Sequence, residues 1–248
     1  MELLKNQGYT NKTYFDKNNN QFIKIKSYDE FNHKIDYKIL NSLPFNPLVI
    51  KNDKESLITE WIDGKQLNPS TLTNEQLKII GKNLIMLHNS KLSFPQENQL
   101  SRRFKIYLKK ISSLNKKVPT INKYYKKINL LLKNIDKSAP CHNDLWLFNM
   151  IEKNNIIYFT DWEYASMGDV HFDLAYFIES SDLTKEQEKI FLASYGNDYE
   201  EKYLLAHKII VNALIVLWIN AHKINPFPDE KYNKRVETYI NEYIKKYN

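Results

Sequence analysis

The chain has 248 residues, 42% of them hydrophobic and 26% charged. That is enough apolar content for one large core or two small ones in an ordinary globular protein. Lys and Arg outnumber Asp and Glu by 36 to 29, leaving a formal charge of +7. The excess is spread as a solvated surface that would also attract a polyanion. No basic stripe interleaved with stacking aromatics marks a nucleic-acid module. The single cysteine, Cys141, excludes an intrachain disulfide and a Cys-based zinc site. The first ten residues carry Glu2, Lys5, Asn6 and Gln7 and no apolar stretch, so no signal peptide is expected. The longest apolar run, 209–219, is broken only by Asn212. It is shorter than the roughly 20 residues a bilayer requires and reads as a buried core helix. The expectation is a cytoplasmic protein with no membrane span, no nucleic-acid partner and no obligate protein partner.

In chain order, residues 9–15 read as a strand, the Asp-Lys-Asn-Asn-Asn run at 16–20 as a turn, and 21–26 as the returning strand. Asp29 is placed to cap a helix running to Leu43, with Phe31, Ile35, Ile39 and Leu43 on one stripe; Pro44 and Pro47 end it. A second hairpin pairs 48–51 with 56–62 around Asn52-Asp53. Asp63-Gly64 then connects a strand-rich N-terminal lobe, residues 1–62, to a helical C-terminal lobe, residues 63–248. The stretch 73–89 has Leu77, Ile80, Leu84 and Leu87 at helical spacing. Amphipathic segments follow at about 101–115 and 120–136. Pro140 opens an irregular stretch to Phe148. A third hairpin joins 149–152 to 156–160, and the rest reads as helix at 171–180, 184–195, 198–223 and 229–246. The fold class is α+β, in two lobes with a cleft between them.

The chemistry concentrates in Cys141-His142-Asn143-Asp144-Leu145-Trp146-Leu147-Phe148-Asn149 and in Thr160-Asp161-Trp162-Glu163-Tyr164. Phosphoryl transfer to a hydroxyl needs one carboxylate to orient the hydroxyl and take its proton. It also needs oxygen ligands to hold magnesium across the phosphates. Asn149 lies five positions past Asp144, and Asp161 seventeen past it, beyond a hairpin that returns the chain. A base, Asp144, and two magnesium ligands, Asn149 and Asp161, would share one small volume. The spacing His-x-Asp-Leu-x-x-x-Asn, then a hairpin and Asp-aromatic, resembles a kinase catalytic loop with its magnesium-binding Asp. His142 is expected mainly to brace the loop rather than move protons. Trp162 is expected to pack. Glu163 is open between a salt-bridge partner and a further metal ligand.

No Walker A motif and no G-x-G-x-x-G occurs. The turn over the phosphates must then be polar, and Gly8-Tyr9-Thr10-Asn11 stands where it belongs. On the returning strand Lys24 is placed to reach the α- and β-phosphates of ATP, although Lys26 shares its face. Asp36 is the candidate ion-pair partner of Lys24.

Together these segments resemble the choline kinase and aminoglycoside phosphotransferase superfamily, with its two-lobed, protein-kinase-like fold. The resemblance spans nearly the whole chain. Thr10-Asn11 matches the Thr-Asn turn of the bacterial choline kinase branch, and Phe22-Ile23-Lys24-Ile25 its cation-bearing strand. Asp36 stands where a Glu is usual. Thr59-Glu60-Trp61-Ile62-Asp63-Gly64 matches the hinge that meets adenine through backbone groups. Cys141 to Asn149, Asp161-Trp162-Glu163-Tyr164-Ala165 and Phe172-Asp173-Leu174-Ala175 stand closest to choline and ethanolamine kinases. Only about ten residues separate Asp161 from the next helix, too few for the activation segment that a protein kinase uses as a peptide platform. The resemblance therefore implies an ATP- and magnesium-dependent kinase of a small alcohol, choline first and ethanolamine, thiamine or an aminoglycoside next. A non-catalytic pseudokinase is disfavoured by the intact Asp144, Asn149 and Asp161. A quaternary ammonium acceptor calls for aromatic faces and a carboxylate. Beside Asp144, the expected acceptor residues are Trp146, Tyr164, Glu179, Trp218 and Tyr232.

Overall fold

The computed structural model describes residues 1–4, 11–96 and 99–247. The N-terminal part is an antiparallel sheet of β1 (Glu2–Leu3), β2 (Lys12–Asp16), β3 (Gln21–Ile25), β4 (Val49–Asn52) and β5 (Ser56–Glu60), in the order β1-β2-β3-β5-β4. The polar run after Asp16 turns the chain: Asp16 Oδ1 accepts from Asn18 N, and Asn20 takes a φ of 52°, which Asn tolerates better than most residues. Strand alternation then separates Ile23 from Lys24. Both are buried, on opposite faces.

The helix expected over 29–43 does not form. Asp29 Oδ1 accepts from the backbone of Phe31 and Asn32, and Asn32 bonds back to Asp29 N and Ser27 O. These short polar side chains give the backbone a local alternative to helix. His33 follows with a φ of 54°, and a 3-10 stretch at Tyr37–Ser42 is all that remains of the helix. The apolar stripe still turns inward, with Phe31, Ile35 and Leu43 buried.

Beyond the short strand β6 (Lys65–Gln66), α1 (Asn74–His88) starts from a capping box between Thr73 and Gln76. The next helices are α2 (Leu100–Ser113) and α3 (Pro119–Lys133). The chain then enters β7 (Ala139–Cys141), the hairpin β8 (Met150–Lys153) and β9 (Ile156–Phe159), and β10 (Ser166–Gly168). Strand β10 pairs with β7, and β8 sits between β6 and β9. Four helices complete the chain: α4 (Val170–Ser180), α5 (Lys185–Tyr195), α6 (Glu201–Asn220) and α7 (Glu230–Tyr247). Helix α6 is apolar on all sides because it is the centre of the core. It is long and apolar enough to cross a membrane, but 89% of its apolar window is buried inside the protein. The hairpins, α1 and the helices from α4 onward match the sequence expectation. The two-residue strands and the β7–β10 pairing were not foreseen. The β7–β10 pair matters here because it clamps the two ends of the segment that carries Asp144, Asn149 and Asp161.

Candidate active site

The loop from His142 to Asn149 is held from below by Asp173. This fully buried carboxylate on α4 accepts from the backbone of His142 and Asn143 at 2.8 Å each, and lies 3.2 Å from His88 Nε2. Asn143 adopts a φ of 65° and ties its amide to Tyr164 O and Ser166 Oγ. His142 is fully buried. Its Nε2 meets Thr160 O at 2.9 Å, and its ring packs 4.4 Å from that of Trp162. It braces the loop and lines neither cavity described below, so the structure gives it no proton-transfer position.

The other chemistry-bearing residues converge. Asn149 Nδ2 donates to Asp144 O at 3.0 Å, while Thr160 donates to Asn149 O from both its backbone and its hydroxyl. This short ladder fixes Asp144, Asn149 and the start of the Asp161 turn against one another. Asp161 has a φ of 66°, a left-handed conformation unusual outside glycine and common at functional sites. It meets Lys24 from the N-terminal sheet in a direct ion pair. The partner of Lys24 is therefore Asp161 rather than Asp36. Asp36 is exposed, and its carboxylate caps the 3-10 turn by accepting from Lys38 N. Lys26 is also accounted for, bonding Asn52 and the carbonyl of Asp53.

Glu163 is 3% exposed, and its Oε2 accepts from Asn11 Nδ2 at 2.7 Å and from Lys24 Nζ at 3.4 Å, with His33 Nε2 3.3 Å away. Its carboxylate is thus engaged by Lys24 and Asn11. Thr10, its expected neighbour over the phosphates, lies outside the described residues. Magnesium needs hard oxygen ligands. The Asp161 carboxylate supplies them, and so does Asn149, whose amide nitrogen is engaged and whose Oδ1 is left for a cation. The donor set therefore fits magnesium.

The electrostatics follow from burial. Burial, then repulsion from Asp161, pushes Asp144 up to about 6. The same two causes push Glu163 up to about 7. Burial opposes the charge on both Lys24 and Asp161, but their mutual attraction outweighs it, raising the one and lowering the other. His33 falls to about 4 through burial and the nearby Lys24.

Two cavities meet at Asp161 and Phe148. The first lies under the N-terminal sheet, lined by Asn11, Lys24, Val49, Leu57, Glu60, Trp61, Ile62, Asn149 and Asp161 among others. Glu60 is steadied by Leu48 N, and the ring of Trp61 lies 4.3 Å from that of Phe15. The second cavity contains Asp144, Asp161 and Glu163, the guanidinium of Arg103, and the rings of Trp146, Phe148, Tyr164, Tyr176, Trp218 and Phe227. Trp146 stacks on Phe148 at 5.5 Å, and Phe227 bridges Trp146 and Trp218 at about 6 Å from each.

Of the expected acceptor residues, Asp144, Trp146, Tyr164 and Trp218 line this second cavity. Glu179 and Tyr232 do not. Glu179 is 2% exposed and belongs to donors on α6 and α7: Asn212 at 2.9 Å, Tyr239 at 3.0 Å and Arg235 at 3.4 Å. Tyr232 stands behind Phe227, 6.2 Å away, and backs the wall. The sequence reading missed Phe148, Phe227 and Arg103. Phe148 sits inside the motif and could have been named. Arg103 shows a weaker signal, a charge on the apolar face of α2 beside Phe104 and Tyr107. Its guanidinium lies 4.3 Å from the centre of the Tyr164 ring.

Comparison with known proteins agrees with this geometry. The family model for choline/ethanolamine kinase matches residues 12–211. A LicA homolog of Metamycoplasma hominis is 66% identical over 237 residues, covering 96% of this chain and 95% of its own. Another, from Mycoplasma capricolum subsp. capricolum, is 40% identical over 240 residues, covering 97% and 98%. Among solved structures, choline kinase LicA from Streptococcus pneumoniae superposes with a TM-score of 0.74 at 21% identity, covering 98% of this chain and 93% of its own. Spectinomycin phosphotransferase bound to ADP and spectinomycin gives 0.62 at 17% identity, covering 98% and 92%. At these identities the solved structures speak to the fold, which is protein-kinase-like. The family match covers every element that carries the Asp144–Asn149–Asp161 ladder, and the chain belongs to the choline/ethanolamine kinase family, a phosphotransferase of the kinase type.

Proposed function

We propose that the protein transfers the γ-phosphoryl group of ATP to choline, giving phosphocholine and ADP. The observation that carries this reading is the second cavity, where aromatic rings and carboxylates surround Asp144 and open towards the first cavity across Asp161. A trimethylammonium group has no N–H to donate. It is held by ring faces and nearby negative charge, each ring contributing about 0.5–2 kcal/mol. Ethanolamine would need hydrogen-bond acceptors matched to an ammonium, so a wall built mainly from rings favours choline. The short link between Asp161 and α4 leaves no platform for a protein substrate.

In this reading the nucleotide lies in the first cavity, with the backbone of 60–62 beside the base and Lys24 beside the phosphates. Magnesium held by Asn149 and Asp161 would neutralise charge on the phosphates. Asp144 receives the choline hydroxyl proton as the new oxygen–phosphorus bond forms and the bond from the γ-phosphorus to the bridging oxygen of ADP breaks. Asp144 must be ionised to accept that proton, so kcat/KM should rise with pH through about 6. The test is turnover of purified protein with ATP, Mg²⁺ and a panel of choline, ethanolamine, thiamine and an aminoglycoside. Turnover of another alcohol with none of choline would reject the substrate assignment.

A further inference from the structure

Tyr176 reaches Asp144 from α4. Its hydroxyl donates to Asp144 Oδ1 at 2.7 Å, which occupies one carboxylate oxygen and leaves the other for an acceptor hydroxyl. The Trp146 and Tyr176 rings meet edge to face at 6.0 Å. Trp146 is itself a wall of the aromatic cavity, and Tyr176 is 6% exposed. Tyr176 therefore links the cage to the base, packed edge to face on Trp146 and hydrogen-bonded to Asp144.

We propose that Tyr176 is a positioning residue, and that its hydrogen bond to Asp144 and its packing on Trp146 fix the carboxylate rotamer and tie it to the cage wall. The proposal rests on the phosphotransferase reading above. Without this bond the carboxylate is drawn towards the two nearby cations, Arg103 and Lys24, whose charges it feels. Rotation towards either takes its free oxygen off the acceptor. Tyr176 does not itself take the proton, because burial, then the Asp144 charge, holds its own hydroxyl protonated.

The experiment compares wild type with Tyr176→Phe, a near-isosteric change, using whichever alcohol of the panel the wild type turns over. Expected are a kcat lower by about tenfold and a KM for ATP within about twofold. A second measurement needs no turnover. The crystal structure of Tyr176→Phe should show the Asp144 carboxylate turned away from its wild-type rotamer. An unchanged carboxylate orientation overturns the proposal, and so does an unchanged kcat in an active enzyme. A wild type that phosphorylates nothing overturns the functional reading instead and leaves the carboxylate orientation to decide the role of Tyr176.

Discussion

Asp144 sits where its own charge is unwelcome, and that makes Asp144→Asn informative about stability as well as activity. Burial, then Asp161, lifts its carboxyl from 3.8 to about 6 in the folded protein. Below about pH 4 the carboxyl is neutral in both folded and unfolded chains and costs nothing. Between about 4 and 6 the unfolded chain releases the proton while the folded protein keeps it, so stability falls as pH rises. Above about 6 the full cost is present, about 3 kcal/mol without screening and about 1.5–3 kcal/mol with water at the cleft mouth. Asn keeps the shape, leaves an oxygen for the Tyr176 hydroxyl and carries no charge. Urea unfolding of the protein free of nucleotide and magnesium, at pH 4.5, 6 and 7.5, should show the variant more stable by about 1.5–3 kcal/mol at pH 7.5 and by only about 0.5–1 kcal/mol at pH 4.5. The same variant should lose about 10²–10⁴ in kcat. A variant no more stable at pH 7.5, or one with a gain that does not change with pH, would refute the reasoning. The expected pattern is a stability–activity trade-off concentrated in one residue.

Lys24→Met should destabilise the ligand-free protein by about 3 kcal/mol, because Asp161 and Glu163 would face each other without their shared cation. It should also raise KM for ATP at least tenfold, and adding Glu163→Gln should recover part of the melting temperature but not the KM. Trp218→Leu removes one ring of the cage and should raise KM for choline about tenfold while leaving KM for ATP unchanged. Movement of the ATP value instead would place Trp218 outside the acceptor site. Gly81→Ala tests packing alone. A Cβ there would stand 2.1 Å from Ser194 Oγ, 2.8 Å from Phe191 O and 2.9 Å from Tyr195 N. Helices α1 and α5 would have to part, lowering stability by about 1–3 kcal/mol in denaturant titrations, with activity per folded molecule retained.

What the sequence by itself determined is what local rules govern. Helical periodicity located α1 and the helices from α4 onward. Turn residues located the hairpins, and fixed spacing around one hairpin brought Asp144, Asn149 and Asp161 within reach of each other. Residues 29–43 show the limit of periodicity: the apolar stripe was read correctly as buried, but Asp29 and Asn32 satisfied the backbone locally and no α-helix followed. Tertiary structure alone decided partners far apart in the chain. Lys24 pairs with Asp161 across 137 positions rather than with the nearby Asp36, because the sheet face lays its ammonium over the carboxylate while the turn points Asp36 to solvent. The acceptor cage is of the same kind. Arg103, Trp146, Tyr176, Trp218 and Phe227 come from separate segments. An aromatic on a helix looks the same in sequence whether its ring faces the core or a cavity. Glu179 shows the converse, a carboxylate suited to a cation in composition but taken by donors on α6 and α7 once the helices pack. Period and spacing are written into neighbouring residues; which faces meet is settled by burying apolar surface over the whole chain.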